Sequence, residues 1–398
     1  MLLVTLYEEM IAKYNPVTLW WKDIHKPTMY SMMFLVVSGL IAIFSASYQI
    51  GGVLEVSEMH FFKKHVFFLV IAIGIFFVIS FQNTESILKI SQLGIICSIL
   101  ALFGVFIISG KSIKGAERWL DLRIITLQPS EILKPFFIVM SAYIYYYFEK
   151  TRSMFFPLLH GCLYAFIVLL LFFQPDFGMI LTYTFITGVM VFLSSIRLKL
   201  IAYLAIPVVI LMVVAVFSMS HVQKRVLHFI KGEKMYQTAL AYNAIKNGGF
   251  LGKGLGSGEV AKKLPDSHND FIFSRIGEEL GGVFLIAIII AFSLLIFSNI
   301  AYVLREQDFY RNLAFNSDAK IAKYQKEILI NNYIILLTVA LIFFEMFVNM
   351  AVNLSLIPPK GMALPFISYG GSSMIANAFL MGFLCVANRK KYRFIPVV

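Results

Sequence analysis

Cysteine is scarce in this chain: Cys97, Cys162 and Cys385 are the only three in 398 residues. All three fall within apolar runs predicted to be membrane-buried, which excludes a disulfide framework and a zinc site. Histidine motifs are equally thin. His60 and His65, or His221 and His228, stand at no ligand spacing, and no H-E-x-x-H occurs. Charge is sparse too: 14% of residues are Asp, Glu, Lys or Arg and 59% are hydrophobic. With a mean hydropathy of +0.81, the composition lies far from that of a soluble domain. No low-complexity segment or internal repeat is evident, and no appended soluble domain is expected. No small-residue cleavage site follows the first long apolar run, which begins near Met29, so a cleavable signal is not expected.

What the chain has instead is a series of apolar runs of about 20 residues, the length that crosses a hydrocarbon core. They fall near 29–50, 65–81, 88–109, 131–148, 155–173, 177–195, 198–220, 275–303, 328–349 and 367–388. The fourth holds Pro135 and the sixth follows Pro175. Unbroken apolarity without alternation indicates helices rather than a barrel. The expected fold class is therefore all-α: a polytopic integral membrane protein of about ten transmembrane helices, with residues 1–398 forming a single domain. Residues 2–22, with Trp20 and Trp21, suit an interfacial amphipathic helix. An even number of spans puts both termini on one side. The basic segments at 148–152, 195–199, 304–327 and 389–393 make that side cytoplasmic. Residues 221–271 then form a large extracytoplasmic loop between spans seven and eight, itself rich in lysine. An anionic ligand and a merely solvated loop account for that basic surface equally well.

The stretch 246–281, KNGGFLGKGLGSGEVAKKLPDSHNDFIFSRIGEELG, is polar and glycine-rich between apolar runs, and is where chemistry is to be sought. It lacks the G-x-x-x-x-G-K-[ST] spacing of a nucleotide loop. Its glycine-rich turn offers backbone amides to a diphosphate, with Lys253 adding charge. Asp270 precedes an apolar helix, and spacing alone does not choose between helix cap and catalyst. Elsewhere, Glu131 and Lys134 share one helical face at the start of a span, either as a structural ion pair or as the wall of a substrate cavity. In QPDFG at 174–178, Asp176 suits a helix cap more than catalysis. Glu345 is an intramembrane carboxylate within a turn or so of its span's end, placed to reach the interface or to relay protons.

Six segments in order resemble the SEDS family of cell-wall proteins, whose members include FtsW, RodA and SpoVE. They are GAERWLDL (115–122), LQPSEILK (127–134), QPDFG (174–178), NGGFLGKGLGSG (247–258), LPDSHNDFIFSRIGEELG (264–281) and IPPKGMALPFISYGGSS (357–373). PPKG with Lys360, the ending GGSS and the uninterrupted GKGLGSG are most similar to the septal, FtsW-type branch. Ala351 and Ser355 stand where glycine is common in the family, and Glu345 where glutamine is usual, which bears on how the ninth helix ends.

The resemblance implies a peptidoglycan glycosyltransferase that polymerises lipid II at the outer face of the cytoplasmic (inner) membrane, for septal wall synthesis during cell division. Asp270 is implied as the essential carboxylate and general base of an inverting transfer. The diphosphate leaving group needs positive charge, for which Arg118, Lys253, Lys263 and Lys360 are candidates, with His268 near the sugar. A divalent cation, Mg or Mn, would supply it as well. The implied partners are lipid II, undecaprenyl-diphosphate-linked glycan, a cognate class B penicillin-binding transpeptidase and other divisome membrane proteins; no nucleic acid is expected. A lipid flippase and a non-catalytic divisome scaffold are the competing readings, the first drawing on Glu345 and the Glu131/Lys134 pair.

Overall fold

The computed structural model describes residues 15–53, 57–108, 118–121, 126–196, 236–313 and 319–389, together with residues 223 and 227. The predicted span 198–220, residues 1–14 of the N-terminal segment, the start of GAERWLDL and the tail beyond Arg389 lie outside these residues. The elements in order are α1 (Pro16–Asp23), α2 (Lys26–Val53), α3 (His60–Ser80), α4 (Thr84–Ile108), a two-stranded hairpin of β1 (Leu120–Asp121) and β2 (Thr126–Leu127), α5 (Pro129–Thr151), α6 (Phe155–Phe173) and α7 (Phe177–Leu193). After them come α8 (Tyr236–Gly248), α9 (Glu259–Lys262), α10 (Ile272–Leu313), α11 (Ala319–Asn353) and α12 (Gly371–Ala387). The nine predicted spans inside the described residues each coincide with one of these helices. Among the described residues, six helices are long and apolar enough to cross a membrane, and α7 and α12 are shorter apolar ones. The chain is a multi-pass membrane protein.

Burial sorts the helices. On α3 and α4, Phe67, Val70, Ile73 and Val78, and Leu93, Ile96 and Leu100, are exposed, as lipid-facing residues must be. Cys97 and Cys162 lie on such exposed surface; only Cys385 of the three cysteines is buried. By contrast α5 is buried on nearly every side, from Ser130 to Phe148, and packs against α4, α6, α7, α11 and α12. That central position explains why a helix with Glu131, Lys134, Glu149 and Lys150 can sit within the bundle. Glu131 and Lys134 there meet protein rather than lipid, while Glu149 and Lys150 lie at its far end. Pro129 opens the helix, where its missing N–H costs nothing. Pro135, one turn further, frees the carbonyl of Glu131.

The ninth predicted span, α11, closes on a left-handed residue, Ser355 (φ 60°), where glycine is favoured. Leu356 N–H donates to Ala351 O at 2.8 Å and Ser355 N–H to Val352 O at 3.0 Å, so the last carbonyls are satisfied without glycine. The Ser355 hydroxyl also donates to Thr238 O at 2.7 Å, tying the helix end to α8. Trp20 of α1 is buried against Phe77 and Phe81, and its indole N–H donates to the Ser80 hydroxyl at 3.1 Å. This half of the expected N-terminal helix is thus docked on the bundle.

The long helix α10 is broken at Gly281, whose φ of 79° is left-handed. A break leaves backbone groups unpaired, and loop 249–254 takes them. Lys253 and Gly254 N–H donate to the carbonyls of Glu278 and Glu279 at 3.0 and 2.9 Å. Gly282 and Val283 N–H donate back to Gly249 and Phe250 at 2.9 and 3.2 Å. The approach is so close that a Cβ on Gly281 would collide with the backbone of Gly252, and one on Gly252 with that of Glu279. Gly281→Ala is therefore expected to cost at least about 2 kcal/mol, read as a lowered thermal unfolding midpoint of the detergent-solubilised protein.

Candidate active site

The splice at Gly281 holds the stub of α10 and, just before it, Asp270. Glu278 lies fully buried beneath the loop, its carboxylate accepting from the N–H groups of Val260 (3.0 Å) and Ala261 (2.6 Å) and from the Asn247 amide (2.7 Å). Glu279 pairs with Arg275 at 3.3 Å and accepts from the Ser45 hydroxyl of α2. The amides of Lys253, Gly254 and Gly256 are all committed, to Glu278 O, Glu279 O and Ser45 Oγ. The glycine-rich turn is thus a structural clasp on a broken helix, and those amides are not a diphosphate cradle.

Residues 268–270 are fixed through their carbonyls. Asn349 and Asn353, one turn apart on α11, both donate to Asp270 O, at 2.9 and 3.1 Å. The Ser368 hydroxyl donates to Asn269 O at 2.7 Å, and Tyr369 N–H to His268 O at 3.0 Å. Asn353 Oδ1 also accepts from Ser274 N–H at 3.0 Å, in the first turn of α10. The Asp270 carboxylate faces Gly361, where a Cβ would lie 2.8 Å from Oδ2. His268 packs its ring against Phe61 and Tyr369, at centroid distances of 5.0 and 5.4 Å.

Next to Gly361, Lys360 turns its chain over Gly178, whose Cβ would lie 3.5 Å from both Lys360 Cε and Asp176 Oδ1. The Lys360 ammonium is buried without a hydrogen-bond partner, 5.3 Å from the Phe344 ring. Burial lowers its pKa to about 8, against the opposing pull of Asp176 and Glu345. Asp176 caps α7, accepting from Met179 N–H at 3.4 Å, from the Gln128 amide at 3.1 Å and pairing with Arg118 at 3.6 Å. Its carboxyl is raised by burial, and Arg118 resists that rise. Arg118 also donates to Pro175 O. Deeper in the bundle, Lys134 pairs with Glu131 at 2.7 Å and with Glu345.

The structure thus brings together residues that the sequence offered separately. Arg118, Asp176, Lys360, Glu131, Lys134 and Glu345 form one buried polar cluster, bordered by Asp270 through Gly361. Glu345, the intramembrane carboxylate placed to reach the interface or to relay protons, is buried and held by Lys134, because it faces α5 two turns before α11 ends. Lys253 and Lys263 are exposed and, among the described residues, share no hydrogen bond or ion pair with the cluster. The clamp residues Asn349, Asn353, Ser368 and Gly361 went unread, although two asparagines four apart in an apolar helix mark a polar contact on one face. Among the described residues there is no group of three or more His, Cys, Asp or Glu that could hold a metal ion.

A family model described as "cell cycle protein" (FtsW/RodA/SpoVE) matches residues 26–393. The chain belongs to that family. The probable peptidoglycan glycosyltransferase FtsW of Caulobacter vibrioides is 27% identical over 375 residues, covering 94% of this chain and 91% of that protein. Its counterpart in Geobacter sulfurreducens is 30% identical over 363 residues, covering 87% of this chain and 90% of its own length. The rod shape determining protein RodA of Thermus thermophilus has the same fold, with a TM-score of 0.64 at 20% identity, over 94% of this chain and 99% of that one. A chain from a structure on the coordination of polymerization and crosslinking by a peptidoglycan synthase complex has a TM-score of 0.68 at 20% identity, over 93% and 99%.

The segments HNDFIF (268–273) and VNMAVN (348–353) are joined by the asparagine clamp. Asn353→Ala is expected to leave the buried Asp270 carbonyl and Ser274 groups under-satisfied and to cost about 1–3 kcal/mol. Denaturant or thermal unfolding against wild type measures it, with Asn349→Ala expected to move in the same direction.

Proposed function

We propose that this protein is a peptidoglycan glycosyltransferase that polymerises lipid II, with Asp270 as the general base. The observation that carries the reading is the setting of Asp270: a backbone clamped from α11, a carboxylate against Gly361, and a buried, unpartnered Lys360 one residue away. Preorganisation of this kind suits a group that must meet a reacting hydroxyl in fixed geometry. The family membership and the relatives named FtsW support the same activity.

The donor is the growing undecaprenyl-diphosphate-linked strand and the acceptor is lipid II. Asp270 takes the proton from the attacking hydroxyl of N-acetylglucosamine as the new glycosidic bond forms at the donor's anomeric carbon. The bond from that carbon to the lipid diphosphate breaks, with inversion. Charge developing on the diphosphate meets Lys360 and Arg118, which both lie near Asp176. An ammonium already buried without a partner gains a charge-assisted hydrogen bond at that moment. Lys253, Lys263 and His268 border the loop side, where a sugar or acceptor would approach.

The septal role follows the FtsW-type motifs and the naming of the relatives. Cytoplasmic termini, from the distribution of basic segments, place Asp270 at the outer face. The apolar helix faces on α3 and α4 are surfaces on which a single-span class B penicillin-binding transpeptidase and other divisome proteins would dock.

Purified protein with its cognate transpeptidase is expected to make glycan strands from lipid II. Asp270→Asn should lose at least ~10²-fold in rate with folding intact. Gly361→Ala, whose new methyl pushes on the Asp270 carboxylate, should also lose rate at near-wild-type stability. Equal strands from wild type and Asp270→Asn would remove the base assignment. The free-enzyme ammonium of Lys360 loses its proton as pH rises through about 8. A fall in kcat/KM above that pH is therefore expected, and Lys360→Arg should flatten it.

A further inference from the structure

The far end of α5 carries a second polar site, unrelated to Asp270. From Lys134 to Lys150 the helix rises about 24 Å, so its last turn lies close to a hydrocarbon thickness from the cluster around Asp176. A cavity of about 480 Å³ opens there between the end of α5, Ser195 after α7, and the first turns of α11 beyond Lys323. Its charged lining is Lys150, Arg152 and Lys326 against the single carboxylate of Glu149.

That carboxylate is already spent. Glu149 accepts from Ser195 N–H at 2.9 Å and from the Ser195 hydroxyl at 3.0 Å, and it pairs with Arg152 at 3.0 Å. Two cations are left over. Lys326 lies over the rings of Tyr143, Tyr146 and Tyr147, at 5.7, 5.8 and 6.0 Å, which orients an ammonium without neutralising it. Lys150 makes no hydrogen bond or ion pair among the described residues. Tyrosines clustered at a helix end mark the membrane–water boundary, and lysines at that depth meet lipid headgroups.

We infer that this cavity binds a phosphate group, contributed by an anionic membrane lipid whose headgroup sits between Lys150 and Lys326. The full-length protein in detergent is titrated by native mass spectrometry with phosphatidylglycerol and, separately, phosphatidylcholine. Phosphatidylglycerol is expected to bind more tightly. Lys150→Gln/Lys326→Gln should weaken it by roughly 20- to 30-fold, at about fivefold per cation. The control pair Lys22→Gln/Lys89→Gln removes the same charge from the same end of the bundle outside the cavity, and should leave binding unchanged. Unaltered melting temperatures would show that both pairs fold. Retention of the lipid in millimolar inorganic phosphate supports the headgroup as the source; displacement assigns the site to a soluble phosphate. Equal binding of the two lipids by wild type, or equal weakening by the two double variants, would overturn the proposal.

Discussion

The structure depends on a helix that is broken inside a protein where broken helices are costly. In a bilayer every backbone N–H and C=O must find a partner within the protein. At Gly281 the ladder of α10 is interrupted, and loop 249–254 supplies the missing donors and acceptors. The glycines are what allow two backbones to come this close. Glu278 and Glu279 then extend the same junction sideways, to α9 and to Ser45 of α2. Loop, stub and first span become one rigid unit, and Asp270 inherits its position from it.

From there order passes to α11. Its two asparagines hold the carbonyl of Asp270, while Ser368 and Tyr369 hold the two residues before it. Each contact uses the backbone and leaves the carboxylate to face Gly361. On the other side of Lys360 the charges are arranged as alternating partners, Arg118 with Asp176 and Lys134 with both glutamates. Buried ions so arranged are stable only as a set, since removing one leaves another uncompensated. The flippase reading draws on these same charges, which here pair with one another.

Much of the fold was legible because lipid imposes a simple rule on sequence. Long apolar runs located α2, α3, α4, α6, α10 and α11 directly. The central helix α5 and the start of α12 were harder. A helix shielded by protein can carry charge, and the segment before Gly371 is apolar without being helical. At the site, Asp270 and the Glu131/Lys134 pair stood out as charges in improbable places. Their connection did not. Spacing speaks for neighbours on one helix, whereas Glu345 reaches Lys134 across 211 positions and Asn353 reaches Asp270 across 83. The loop glycines were visible but ambiguous, since a ligand cradle and a backbone clasp ask for the same residue.

Glu345 lies on α11, and its partner Lys134 lies on a different helix, α5. The buried trio therefore carries one negative charge more than a glutamine would give it, and Lys360 is the nearby cation that offsets it. Helices are consequently not interchangeable parts between relatives. A chimera that imports α11 from a glutamine-bearing homologue removes the charge that Lys134 and Lys360 are arranged around. The unit of inheritance is the pair of helices and the loop that share this charge, not any single span.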